Sequence, residues 1–260
     1  MSRTQDINVA VVTGGTRGIG WAITSALLAN GARVFAGSVN TLATDSVHVE
    51  LPNDQAARLS LLPLDVASSD SVAELLHTVV NASDSPSILV NCAGISHHQS
   101  VEDHDDDAWQ RVLDVNLTGT YRMIKACLPG MKQNGWGRII NIASTAAHTG
   151  HPGYAAYCAS KAGMLGLTRT VAMEGAAFGI NCVSVSPTWV ATDMLHATAS
   201  ESAAERRADK EIILAEIAAS NPQGRIVEPD EIASLVSFLC SDATTGLTME
   251  DIQINAGAHW

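Results

Sequence analysis

Six short runs of aliphatic and β-branched residues punctuate the chain, at 9–13, 33–36, 59–62, 88–91, 138–142 and 181–185. Each is nearly continuous in apolar character, which is the pattern of strands covered on both faces. Between them lie segments of helical length and period, at 19–30, 69–80, 108–132 and 154–178. Strands alternating with helices predict an α/β fold built on a doubly wound parallel sheet, Rossmann-like, of about seven strands with helices on both faces. No internal repeat, Pro/Gly-rich linker or composition break divides the chain, so residues 1–260 read as one domain. The least core-like stretch, 193–224, is polar and alanine-rich, and its late position suits a helical lid over a substrate pocket.

Composition narrows the classes of function. Apolar residues make up 46% and charged residues 16% of the chain, well away from disorder. A net charge of -12, with no basic cluster, repels nucleic acid and anionic membranes, so neither is expected as a partner. No charged and apolar leader precedes the first strand and no apolar run is long enough to span a bilayer, which predicts a soluble, cytoplasmic protein. The five cysteines, Cys92, Cys127, Cys158, Cys182 and Cys240, are odd in number and free of CxxC spacing, as reduced packing residues are.

Two motifs carry chemistry. Thr13-Gly14-Gly15-Thr16-Arg17-Gly18-Ile19-Gly20 joins an apolar strand to an amphipathic helix. Glycines allow a sharp turn and close backbone approach to a pyrophosphate, and the helix N-terminus supplies amides and a positive dipole end. Downstream, Tyr157 and Lys161 stand four apart, on one face if the segment is helical, with Ser144 one short loop before them. A free phenol has a pKa of about 10. A fixed ammonium beside it would lower that value and fit the phenol for proton transfer.

With its G-x3-G-x-G spacing, LDV at 64–66, NCAG at 91–94, VNLTG around Asn116, NIAS ending in Ser144, Tyr157-x3-Lys161 and GRIVEPDEIA at 224–233, the chain closely resembles the classical short-chain dehydrogenase/reductase family from about residue 9 to 257. The resemblance implies a nicotinamide-dependent oxidoreductase that interconverts a secondary alcohol, or cyclic hemiacetal, and a carbonyl. It casts Tyr157 as general acid/base, Lys161 as the holder of the nicotinamide ribose, Ser144 as the hydrogen-bond partner of the substrate oxygen and Asn116 as part of a proton relay. Asn116 lies within a helical pattern, where an amide disturbs the ladder. The cofactor site implied comprises Gly14, Thr16, Arg17, Gly18, Ile19, Gly20, Ser38, Asp65, Val66, Asn91, Ala93, Gly94, Tyr157, Lys161, Pro187, Val190 and Thr192. Cys92 stands where the family usually has a second asparagine.

The end of the second strand, where NAD-preferring relatives carry a carboxylate, holds Ser38, and Arg17 matches a basic position of NADP-preferring relatives. NADP(H) is therefore favoured over NAD(H), although Val39 replaces a common arginine. By the same resemblance the substrate pocket contains Ser144, His148, His151, Tyr154 and Trp189, with His97 and His98 nearby, a polar and aromatic lining suited to a small polar substrate. The run His97, His98, Asp103, His104, Asp105, Asp106 and Asp107 lacks the spacing of ligands on facing elements and reads as a loop feeding a helix N-terminus, so no metal is assigned. A 3-oxoacyl-(acyl-carrier-protein) reductase is the alternative within the class. Against it, Gly135 and Phe178 occupy positions where such reductases carry docking arginines. A cofactor-binding regulatory protein is the alternative outside the class. Relatives form homo-oligomers, so a tetramer or dimer is expected.

Overall fold

The computed structural model describes residues 8–40 and 51–258. Seven strands, β1 (Val9–Thr13), β2 (Arg33–Ser38), β3 (Leu59–Pro63), β4 (Ile88–Asn91), β5 (Gly137–Ile142), β6 (Ile180–Pro187) and β7 (Asp251–Ile254), form one sheet in the order β3-β2-β1-β4-β5-β6-β7. Every pairing is parallel, with registers such as Val11↔Phe35 and Val12↔Val90. The helices are α1 (Gly18–Ala29), the short α2 (Asn53–Ala56), α3 (Ser69–Ala82), α4 (Asp106–Leu113), α5 (Gly119–Asn134), α6 (Ala155–Gly175), α7 (Asp193–Arg206), α8 (Lys210–Ser220) and α9 (Pro229–Leu239).

Alternation along buried strands feeds two cores. Ala10, Val12, Val34, Ile88, Val90, Ile140, Val183 and Val185 face α1 and α9, packing on Ile23, Leu27, Ile232 and Val236. Val9, Val11, Phe35, Leu89, Ile139, Ile180 and Cys182 point to the opposite face, against Val79, Met123, Cys127 and Val171 of α3, α5 and α6. This is why the strands read as continuous apolar runs: neither side meets water. Chain order reverses between β1 and β4, which opens a crevice at the strands' carboxyl ends.

Two expected elements differ in detail. The segment read as one helix over 108–132 is two helices joined by a π-helical turn, Asp114–Thr118, with Asn116 inside it. The stretch at 193–224 contains α7 and α8, which pack on each other through Ala199, Ala203 and Ile213.

Candidate active site

The glycine-rich turn lies at the carboxyl end of β1. Gly14 has φ +64°, a left-handed conformation that suits glycine, and a Cβ on Gly20 would collide with the backbone of Gly14. A Cβ on Gly14 would lie 3.0 Å from the Cα of Ala93, so the turn is pressed against the segment after β4. Thr13 Oγ1 secures that contact by accepting the backbone N–H groups of Cys92 and Ala93, each at 3.0 Å. Extended Arg17 caps α1 without a side-chain bond, and no acidic residue lies in the first turn. No carboxylate competes there for the helix amides, and the cradle fits a dinucleotide pyrophosphate.

Helix α6 carries Tyr157 and Lys161 on one face, while Ser144 sits just beyond β5. Ser144 and Tyr157 line the same cleft, and the Ser144 hydroxyl favours the ionised form of the phenol. Burial pushes the phenol up from its ordinary value, and Ser144 opposes that rise. Lys161 is 4% exposed, and burial lowers its pKa to about 8. Its Nζ donates to the Ile142 carbonyl at 2.7 Å and lies 5.6 Å from the Tyr157 ring centroid. Burial, which raises the phenol, is the largest influence on it, ahead of any lowering by a neighbouring charge. The lysine lies over the ring and is itself starved of solvation.

Asn116 is fully buried and its amide is engaged on both sides. Oδ1 accepts the Ile95 N–H at 2.9 Å, and Nδ2 donates to the Ile95 carbonyl at 2.9 Å and to Ser160 Oγ at 3.0 Å. Ser160 in turn donates to the Tyr157 carbonyl at 2.7 Å. A Cβ on Gly94 would lie 3.4 Å from Asn116 Oδ1 and 3.7 Å from Lys161 Nζ, so β4's exit, the π-helical turn and α6 converge on one point.

A cavity of about 140 Å³ opens above this centre. Ser144, Tyr157, His151, Tyr154 and Trp189 line it, together with Pro187, Val190 and Thr192 after β6 and Ile19 from the glycine-rich turn. Burial lowers the pKa of His151. Trp189 is held in place because Val227 donates its N–H to the Trp189 carbonyl at 3.1 Å, while Ala191 donates to Val227 at 2.9 Å. Tyr154, Trp189 and Thr198 also border a second cavity of about 330 Å³ lined by Glu201, Glu205, Arg206 and Glu216 of α7 and α8.

Other expected residues lie elsewhere. His148 does not line the cleft, because its ring is drawn to Asp251 at 2.7 Å. His98 stacks on Tyr154 and meets Glu205 at 3.6 Å, whereas His97 bonds Gln99 at 3.1 Å. Asn91 turns away from the glycine-rich turn and donates to Asn141 Oδ1 at 2.8 Å across the sheet. Asp65 caps its own turn through Ala67 N–H at 2.9 Å and faces Arg111 at 3.5 Å; Val66 beside it is buried. Half-buried Ser38 accepts the Asn40 N–H at 3.3 Å, and Arg17 and Gly18 are exposed at the mouth, with Thr192 against Gly18. Thr16 is buried within the turn. Met194, Leu195 and Thr198 come from the stretch at 193–224 that the sequence reads as a lid, whereas Ser160, Ser96 and Thr188 were not singled out. Only Ser160, beside Lys161 in the motif, carried a signal that proximity would have revealed.

Comparison with known proteins agrees with this geometry. Residues 14–259 match a family model described as Enoyl-(Acyl carrier protein) reductase. The chain is 34% identical over 241 residues to D-beta-hydroxybutyrate dehydrogenase of Cupriavidus necator, covering 90% of this chain and 91% of that protein. It is 36% identical over 251 residues to the 3-oxoacyl-(acyl-carrier-protein) reductase FabG of Pseudomonas aeruginosa, covering 96% and 97%. Among solved structures, an F189W actinorhodin polyketide ketoreductase with NADPH superposes with a TM-score of 0.92 at 33% identity over 98% of both chains. The nucleotide cradle, the Ser144–Tyr157 pair and likeness along nearly the whole length agree: the chain belongs to the short-chain dehydrogenase/reductase family and is an NAD(P)-dependent oxidoreductase of the alcohol–carbonyl couple.

Proposed function

We propose that the protein interconverts a secondary alcohol, or cyclic hemiacetal, and the carbonyl of a small polar substrate, with Tyr157 as general acid/base and NADP(H) as the preferred cofactor. One observation carries this reading: Ser144 and Tyr157 line one cleft that reaches the glycine-rich turn through Ile19. When bound, the nicotinamide supplies or accepts the hydride. Ser144 orients the substrate oxygen, Tyr157 donates its phenolic proton to that oxygen in reduction, and the same phenol receives the alcohol proton in oxidation. Lys161 keeps donors beyond the one spent on Ile142 and, with its pKa at about 8, is largely charged at neutral pH. Those donors suit ribose hydroxyls. Asn116 fixes the backbone of Ile95 beside it.

Support for NADP(H) comes from the absence of a carboxylate at Ser38 and from exposed Arg17, which makes no ion pair among the described residues. Relatives act, by their names, on a hydroxy acid, a carrier-bound acyl group or, in the acetoacetyl-CoA reductase of Shinella zoogloeoides, a coenzyme A thioester. The charge beside the cleft favours none of the polyanionic carriers. Glu201, Glu205 and Glu216 line the adjoining cavity, and Arg206 is already paired with Glu216 at 2.6 and 3.0 Å. We also read the exposed Tyr121 and Met173 on α5 and α6 as parts of a homo-oligomer contact, and the protein as cytoplasmic, since no helix among the described residues is long and apolar enough to cross a membrane.

The test is a substrate panel with NADPH, comparing neutral hydroxylated and cyclic ketones with acetoacetyl-CoA and a 3-oxoacyl carrier thioester. The expected result is a kcat/KM at least tenfold higher on the best neutral ketone. Tyr157→Phe should lower kcat by roughly 10³-fold while NADPH still binds. A tenfold preference for the thioesters would establish the acyl reductase reading, and activity that survives Tyr157→Phe would remove the tyrosine from the mechanism.

A further inference from the structure

The turn that carries Ser144 is tied to the edge of the sheet by a carboxylate that does not line the cleft. Ser144 opens the single 3₁₀ turn Thr145–Ala147. Its carbonyl accepts the Ala147 N–H at 2.9 Å, its Oγ accepts the Ala146 N–H at 3.1 Å, and Thr145 accepts the His148 N–H at 3.0 Å. Ser144 and His148 are therefore the two ends of one short hydrogen-bonded unit. At the far end, His148 Nε2 lies 2.7 Å from Asp251 Oδ2 on β7. The other oxygen of Asp251 accepts from Ser184 Oγ at 2.6 Å and Ser186 Oγ at 2.8 Å on β6. At the near end, Ala143 donates its N–H to Val185 at 2.8 Å.

Both ends of the Ser144 turn are thus grounded on one short segment of β6, the near end on Val185 and the far end, through Asp251, on Ser184 and Ser186. The Asp251 side chain is 11% exposed, Ser184 1% and Ser186 0%, so the carboxylate is charge held by three donors where water has little access. Packing alone needs no such group at a strand edge, and an apolar residue would fill the space without its desolvation cost. The restraint is directional. It fixes where His148 lies, and through the turn, where the Ser144 hydroxyl points relative to Tyr157.

We propose that His148 and Asp251 are positioning residues for the reaction, acting through Ser144. This inference rests on the reading of Ser144 as the group that orients the substrate oxygen. Neither residue lines the cleft, so loss of the bridge should disturb geometry at the reacting oxygen and leave the nucleotide cradle intact. Misplacement of a catalytic group by about 1 Å costs on the order of 10²-fold in rate.

The experiment is a double-mutant cycle on the full chain with the best ketone from the panel, with NADPH affinity followed separately by fluorescence. His148→Ala should lower kcat by roughly ten- to hundredfold, with KM and the NADPH Kd changing less than about threefold. His148→Gln, whose amide N–H still reaches towards Asp251, should restore kcat to within about threefold of the wild type. In a Ser144→Ala background, His148→Ala should add less than about threefold, because the residue through which it acts is gone. A His148→Ala enzyme within threefold of the wild type overturns the inference, as does a full penalty in the Ser144→Ala background or a parallel fall in NADPH binding. If Ser144→Ala alone leaves kcat unchanged, the reading of Ser144 fails, and the inference with it.

Discussion

At Tyr157 burial and hydrogen bonding pull in opposite directions. Desolvation raises the phenol, Ser144 lowers it, and neighbouring Cys158 and Cys92 add to the rise. Lys161 contributes through its own desolvation, which makes it the residue whose cost to the fold is most open to measurement. Its folded pKa of about 8 lies below the unfolded value near 10.5. Between those values the unfolded chain binds more protons than the folded one, so this residue's contribution to stability rises with pH. At pH 7 the buried charge costs about 3 kcal/mol, since a tenfold change in proton affinity is worth roughly 1.4 kcal/mol. Lys161→Met should therefore be more stable than the wild type at pH 7 by up to about that amount, less the lost bond to Ile142. The difference should shrink towards zero by pH 10. Urea denaturation of both proteins across pH 7 to 10 checks this, and taking the difference removes the cysteines, whose contribution both proteins share.

Asn116 shows how an element is bent to serve a site. The i→i+5 spacing of Asp114–Thr118 places a fully buried amide against the backbone of Ile95, which has left the ladder of β4. Asn116→Ala would leave both the N–H and C=O of Ile95 without their partner, and Ser160 without its donor. The expected loss is about 2–4 kcal/mol in chemical denaturation, the lower part of what penalties of about 1–3 kcal/mol per orphaned buried group allow, because Ile95 is only half-buried and water can partly reach its groups. A loss below about 1 kcal/mol would mean that the π-helical turn relaxes to an ordinary helix and water reaches Ile95. The motif at 224–233, legible in the sequence only as a likeness, is a helix-starting clasp. Glu231 accepts the Glu228 N–H at 2.8 Å and clasps Arg225 at 2.6 and 2.8 Å, which starts α9 and holds Val227 against the Trp189 loop.

For the molecule as a whole, a chain of net charge -12 that binds a nucleotide needs local attraction to offset its long-range field. On the proposed reading, the helix α1 N-terminus offers it to a pyrophosphate, and exposed Arg17 at the same mouth would offer it to a ribose phosphate. Fluorescence titration should find NADPH bound at least tenfold more tightly than NADH, about 1.4 kcal/mol. Arg17→Ala should remove most of that preference and leave NADH affinity unchanged. Tighter binding of NADH by the wild type would show that Ser38 and Arg17 do not set the choice.

The parallel sheet was legible because burial on both faces writes itself as continuous apolar runs, and six of the seven strands begin within one residue of where those runs begin. The last strand, Asp251–Ile254, is half-covered at the sheet edge and carries a charged residue, so it left no such trace. The spacing of Tyr157 and Lys161 and of the glycine-rich turn was legible as local geometry, a helical face and a tight turn, while Ser144 and the roles of all of them came from the resemblance to the family. Tertiary structure decided what depends on partners far apart in the chain. His148 reads as a pocket residue until Asp251, 103 positions away, draws it to the sheet edge. The forces on Tyr157 depend on burial, which no spacing of Tyr and Lys reports. Local sequence sets the conformations available to each segment. Long-range contacts decide which titratable side chains are stripped of water, and which hydrogen bonds remain for them to make.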